Sequence, residues 1–277
     1  MPDLPESFLP EIVAHYATGY EEQRLLRGTS QLELVRTQEI ILRYLPATPA
    51  LILDAGGGPG AYSLWLARHG YEVHLVDAMP LHIEQAKTAS LAQPDHPIAT
   101  IAVGDARSLD RADASVDVVL LMGPLYHLTE RGDRIKVLVE ADRVLREGGI
   151  VIAATISRFA STLDGTKSGY IDDPEFRNIV ESDLYNGQHR NPNNHPAYFT
   201  TAYLHHPEEI KDEIEAAGLV HDKSLAVESF AWLLGDFDEI WADTNRRENM
   251  LRMIRAVEEE PSLLGTSAHM IGVARKR

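Results

Sequence analysis

The 277-residue chain contains no cysteine. That excludes a disulfide framework, a thiolate nucleophile and any Cys-ligated zinc or iron–sulfur centre. It agrees with a reducing compartment. Long apolar runs are missing too. The most apolar stretches, such as VVLLM at 118–122, are far too short to span a bilayer. The opening residues, MPDLPESFLP, lack the basic start and continuous apolar core of a secretory signal. The expectation is a soluble, cytoplasmic protein with no membrane partner. Basic charge is also scarce. Against 42 Asp and Glu stand only 26 Lys and Arg, a net charge of −16, with no dense Lys/Arg run. Such a field repels a phosphate backbone on average, which disfavours a nucleic-acid partner and leaves a small-molecule substrate.

What is present is an ordinary globular composition, 44% hydrophobic and 25% charged. Residues 7–45 read as two helices, with apolar positions such as Leu32, Val35, Ile40 and Ile41 at helical spacing and Ser30 as a cap. Pro46 and Pro49 close that segment. From Ala50 a strand–helix alternation begins. Strands are expected at 50–54, 71–77, 98–105, 116–122 and 149–156, and helices at 61–70, 80–92 and 131–149. This rhythm means βαβ units and a parallel sheet with all strand ends on one edge. Residues 157–205, rich in Asp, Asn, Gly, Pro and aromatics, interrupt it as an inserted lid. A helix at 207–218, strands near 223–230 and 267–275, and a helix around 237–259 complete the chain. The expected division is a helical cover over 1–46 and an α/β domain over 47–277.

The segment Asp54-Ala-Gly56-Gly57-Gly58-Pro59-Gly60-Ala61 follows a strand and opens a helix. Glycines there allow a tight turn and bring a ligand against the backbone at a helix N-terminus. Gly56, Gly58 and Ala61 also satisfy a dinucleotide fingerprint, so the loop alone leaves two cofactors open. The acids separate them. A pyrophosphate over this loop would be repelled by Asp54, whereas S-adenosylmethionine brings an ammonium and a sulfonium. Asp77 ends the second strand, where a carboxylate can take both ribose hydroxyls of either cofactor. Asp105 ends the third, where a carboxylate can accept from an adenine amine while the Ala106 N–H reaches a ring nitrogen.

In LDAGGGPG (53–60), HLVDAMP (74–80), VGDARSLD (103–110), VDVVLLMGPLYHL (116–128) and VLREGGIVIAA (144–154), the chain resembles the class I S-adenosylmethionine-dependent methyltransferases of the broad type 11 small-molecule group. The resemblance covers about 51–156. It implies a Rossmann-like seven-stranded sheet of order 3-2-1-4-5-7-6 with strand 7 antiparallel. It also implies S-adenosylmethionine as cofactor. Gly56, Gly57, Gly58 and Gly60 would underlie its methionine end, with Met122 and Gly123 beside it. Asp77 and Ala78 would meet the ribose, and Asp105 and Ala106 the adenine.

Methyl transfer needs alignment, and a base only if the nucleophile must lose a proton. His127 leaves the fourth strand where the methyl should point and is the candidate general base, with bracing of the loop as the alternative. Tyr16 and Tyr20 share a helical face in the N-terminal segment, and Arg36 is a candidate partner for the cofactor carboxylate. Asp172, Asp173 and the run Asn191 to His195 read as turn chemistry, so no metal is expected. Two competing functions remain: a non-catalytic S-adenosylmethionine-binding protein and an NAD(P)-dependent oxidoreductase.

Overall fold

The computed structural model describes residues 9–17, 19 and 21–277; the Tyr20 expectation lies outside them. Five parallel strands, β1 (Leu51–Ala55), β2 (Glu72–Asp77), β3 (Thr100–Val103), β4 (Val116–Leu121) and β5 (Leu145–Ser157), lie in the order β3-β2-β1-β4-β5. Beyond β5 come two strands from the end of the chain, β9 (His269–Arg275) and β8 (Val220–Ala226). β9 runs antiparallel to both β5 and β8. These seven strands have the order 3-2-1-4-5-7-6 with the last strand reversed, the Rossmann-like methyltransferase arrangement.

Alternation along the central strands sorts the core into two faces. Ile52, Val118, Leu120, Ile150 and Ile152 point to one side, with Ile40, Ile41 and Leu66 from the helices α3 (Ser30–Tyr44) and α4 (Ala61–Arg68). Leu53, Val119, Leu121, Val151 and Ala153 point to the other. There they meet Val137, Leu138 and Ala141 of α7 (Arg131–Val144) and Ile210 and Ile214 of α10 (Glu209–Ala216). Nearly all are fully buried, at roughly 1.5–3 kcal/mol for each large side chain. With both faces covered, ligands are left the sheet's C-terminal edge.

Several local expectations shift. Among the described residues, the first 45 positions hold three helices: α1 (Pro10–Tyr16), α2 (Glu21–Arg24) and α3. Ser30 is the first residue of α3 rather than its cap, and Thr29 ahead of it makes no side-chain capping bond. α7 ends at Val144, and Leu145 already begins β5, so Gly148 and Gly149 lie in a strand rather than stopping a helix. The helix expected around 237–259 is two, α11 (Phe237–Ala242) and α12 (Thr244–Val257), restarted by the Asp243 cap on Asn245 and Arg246.

The 157–205 insertion is more regular than its composition suggested. It holds α8 (Ala160–Ser168), α9 (Pro174–Asn186), and short strands β6 (Gln188–His189) and β7 (Ala202–His205). Ile156 pairs with His269 of β9 and with Leu204 of β7, so β7 lies on the edge of β5 opposite β9. Phe176, Ile179, Val180 and Tyr198 give the lid a small core of its own. Among the described residues, no helix is long and apolar enough to cross a membrane.

Candidate functional site

The turns that leave β1, β2, β3 and β4 meet at one edge and line a cavity. Gly56, Gly57, Gly58, Asp77, Ala78, Asp105, Ala106, Met122, Gly123 and His127 all line it. At Gly56 and Gly57 the cradle has no room for a side chain. Gly56 has φ of +79°, and a Cβ there would fall 2.6 Å from the Pro124 ring. A Cβ on Gly57 would fall 2.8 Å from the Asp54 carboxyl and 2.9 Å from Leu75. The backbone therefore forms the cavity floor itself.

Asp54 is fully buried beneath that floor and is not part of the cavity wall. Its Oδ2 accepts from Ser63 Oγ at 2.7 Å, while Oδ1 is buried without a partner. Burial pushes the carboxyl up to about 6, against the Ser63 hydrogen bond. Any influence on a ligand passes through Gly57. Asp77 is more tightly held. Its Oδ2 accepts from Gly58 N–H at 2.8 Å, and its Oδ1 from Met79 N–H at 2.8 Å. His82 Nδ1 lies 3.0 Å from that same Oδ1. These bonds tie the glycine loop to the β2 turn. Asp105 is paired with its near neighbour: Arg107 donates its backbone N–H and its guanidinium, the latter at 2.6 Å.

His127 closes the short helix α6 (Pro124–His127). Its Nε2 lies 2.5 Å from the hydroxyl of Tyr16, contributed by α1 from across the cavity. Burial pushes the imidazole down to about 3. A ring that binds protons so weakly, with its accessible nitrogen already on Tyr16, is a poor general base. The geometry fits the bracing alternative. Tyr16 also meets His82 edge-on at 5.1 Å, so it bridges the β2 and β4 turns.

Arg36 is corrected. It is fully buried, and its Nη1 and Nη2 serve Glu39 and Glu258 while Nε donates to the Val227 carbonyl. It borders neither cavity. The arginine at the site is Arg24. Its Nη1 and Nη2 donate to both oxygens of Glu33, at 2.6 and 2.9 Å, and its Nε to Glu21 at 2.9 Å. Sequence reasoning missed Arg24, Glu33, Tyr126 and His82. The signal available was slight: a Glu21–Arg24 pair at helical spacing, with nothing to mark Glu33 as its second partner.

Asp173 caps α9 and accepts from Tyr198 at 2.7 Å, and the Asn191 amide bonds the His195 and Tyr198 carbonyls. Both residues build the lid's turns, as their composition suggested.

A second, larger cavity lies under the lid. Tyr16, Glu21, Arg24 and Tyr126 wall both cavities and form the partition between them. Phe176, Tyr198, Phe199 and Trp232 give the larger space an aromatic side, with His269 among its polar lining.

Residues 53–153 match the family model described as a methyltransferase domain. Over 122 residues the chain is 32% identical to the ubiquinone/menaquinone biosynthesis C-methyltransferase UbiE of Acidiphilium cryptum. The match covers 44% of this chain and 48% of that protein. Over 105 residues it is 33% identical to the ribosomal RNA small subunit methyltransferase C of Alcanivorax borkumensis, covering 37% of this chain and 31% of that protein. The chain thus matches only 31% and 48% of the length of these curated relatives. An S-adenosylmethionine-dependent methyltransferase structure from Methanosarcina mazei superposes with a TM-score of 0.58 at 21% identity, over 86% of this chain and 96% of that one. At that identity the likeness is one of fold.

Proposed function

We propose that residues 53–153, which match a methyltransferase-domain model, form a class I S-adenosylmethionine-dependent methyltransferase domain, and that the chain methylates a small molecule held under its lid. The observation that carries this is the pair of cavities sharing one wall of Tyr16, Glu21, Arg24 and Tyr126. The smaller has the residues the cofactor requires: a side-chain-free backbone cradle, a carboxylate at the end of β2 and another at the end of β3. S-adenosylmethionine supplies a methyl group already activated by its sulfonium.

In this proposal Gly56, Gly57 and Gly58, with Met122 and Gly123, flank the methionine end. Gly60 holds the turn into α4, and Ala78 follows the ribose carboxylate. Asp77 takes the ribose and is kept in place by Gly58 and Met79. Asp105 and Ala106 face the adenine, with Asp105 steadied by Arg107. Arg24 takes the place first assigned to Arg36 as partner of the cofactor carboxylate, while Glu21 and Glu33 suit the ammonium. His127 and Tyr16 brace the wall between the two spaces rather than exchange protons. The segment 1–46 acts as cover for the domain over 47–277, with 157–205 as its lid.

The net charge of −16 supports a small acceptor over a nucleic acid. Calorimetry with S-adenosylmethionine, S-adenosylhomocysteine and NADH tests the cofactor. Both adenosyl compounds should bind and NADH should not. Binding of NADH alone would return the chain to the oxidoreductase reading. Methyl release with a panel of metabolites then tests turnover, and its absence across acidic, phenolic and amine acceptors would leave the non-catalytic binding reading.

A further inference from the structure

The second cavity contains a histidine whose surroundings are the reverse of those of His127. His269 opens β9 and lines the larger space. Its Nδ1 lies 2.6 Å from Glu228 Oε1 and 4.0 Å from Glu33 Oε2. Glu228 is buried and cannot swing away. Its Oε2 accepts from Ser267 Oγ at 2.8 Å and from the His269 backbone N–H at 2.9 Å. Glu33 is gripped in turn by Arg24. With Nδ1 committed to Glu228, Nε2 is the ring nitrogen left for a ligand in the cavity.

We propose that His269, held as an imidazolium by Glu228, presents Nε2–H to an anionic oxygen of the methyl acceptor, a carboxylate or an ionised phenol or enol. The proposal rests on the reading of the larger cavity as the acceptor site. Burial alone would lower the His269 pKa, but Glu33 and Glu228 outweigh it and raise the ring to about 9, against a smaller opposing effect of Arg24. The charged groups around the ring are therefore Glu228 and Glu33 on the Nδ1 side, with Arg24 and then Glu21 behind Glu33. Arg24, His269, Glu33 and Glu228 sum to zero, with Glu21 adding one negative charge on the far side of Arg24. An anion at Nε2 sits closest to the imidazolium and a ring's width further from Glu228, so attraction wins. Glu33, Glu228 and His269 are also close enough to share a cation, but Arg24 and the imidazolium already neutralise the two acids.

The chemistry then needs no base. An oxygen that enters already ionised has no proton to lose. Its O–C bond forms as the C–S bond breaks, the electron pair goes to sulfur, and the products are a methyl ester or ether and a neutral thioether. This accounts for a site in which His127 is too weak a base to remove a proton.

The test uses the full chain saturated with S-adenosylhomocysteine, with benzoate, 4-nitrophenolate, benzamide and benzylamine as probes. Binding is measured by calorimetry, and the His269 ring nitrogens are followed by 15N NMR. At pH 7 the two anions should bind at least tenfold more tightly than benzamide and benzylamine and should shift Nε2. Benzoate against 4-nitrophenolate then distinguishes a carboxylic from a phenolic acceptor. The preference should vanish in His269→Gln and above pH 9, while S-adenosylhomocysteine still binds that variant and so reports its fold. Equal or absent binding of benzoate and benzamide, a preference for benzylamine, or an anion preference that survives His269→Gln would overturn it. Failure of S-adenosylhomocysteine to bind the unaltered chain would instead sink the methyltransferase reading.

Discussion

On the glycine-loop side of the cleft, the strand-end acids find their partners nearby in the chain; on the lid side, beside local pairs such as Arg24 with Glu21, several groups find them far away. Asp77 is satisfied by Met79, His82 and Gly58, at separations of 2, 5 and 19 residues. Asp105 takes Arg107, two residues on. Across the cleft, Tyr16 meets His127 over 111 residues, and Thr200 and Thr201 tether the first helix at Glu11 over 189 and 190. His269 meets Glu228 over 41, and outside both cavities Arg36 meets Glu258 over 222. The first side is a set of βαβ turns that any correctly folded sheet edge presents. The second exists only once the N-terminal helices, the lid and the last strand have docked together. The glycine-loop half can therefore form as local structure, while the lid half depends on global assembly.

The comparison can be strained where the long-range side is most exposed to loss. Arg36→Ala leaves Glu258 buried with Arg43 as its remaining partner. Breaking a buried pair costs about 3–5 kcal/mol. Chemical denaturation should show that loss, while calorimetric affinity for S-adenosylhomocysteine stays unchanged in the protein that remains folded. A matching loss of cofactor affinity would restore Arg36 to the site.

The two sides should also titrate in different windows. Asp54, under the loop, has its folded value raised from 3.8 to about 6, so the native state holds that proton more tightly than the unfolded chain. Its contribution is present below about pH 4 and is lost as pH rises through 6, by about 3 kcal/mol. His269, under the lid, is raised from 6.5 to about 9. Its contribution is complete below 6.5 and is lost as pH rises through 9. Stability measured against pH, wild type minus variant, should therefore change between 4 and 6 for Asp54→Asn and between 6.5 and 9 for His269→Gln. A single shared window for both variants would erase the distinction.

Smaller effects sharpen the picture. Asp77→Asn replaces one acceptor oxygen with an amide that faces a backbone N–H. It should weaken S-adenosylhomocysteine by about 2 kcal/mol, roughly thirtyfold, in calorimetry. Tyr16→Phe removes only the hydroxyl on His127. About 1 kcal/mol is at stake, so turnover should fall only a few-fold, with cofactor affinity little changed. A thousandfold fall in kcat would make Tyr16 and His127 participants in proton transfer after all.

How much of this was readable in the sequence follows the same division. The strand–helix rhythm, the glycine cradle and the acids at 54, 77 and 105 were visible because each depends on spacing within a short stretch. That stretch specifies a turn and what hangs from it. Even there, one detail escaped: Asp54 lies under the loop rather than in the cavity, because Gly57 has no side chain to keep the two apart. Arg36 and His127 were chosen by position and chemical type, and both were decided by burial. Arg36 turned inward to Glu258, and His127 was shut against Tyr16.

The amino-acid order by itself determined that this chain builds a parallel α/β sheet with a ligand-ready edge, since alternation, glycine placement and strand-end acids are local properties of the backbone. Only the tertiary structure decided which arginine faces the cleft, which histidine carries charge, and that two cavities share one wall. Those are properties of burial and of charges brought together across as many as 222 residues, and no short-range pattern encodes the dielectric or the neighbours a side chain will meet.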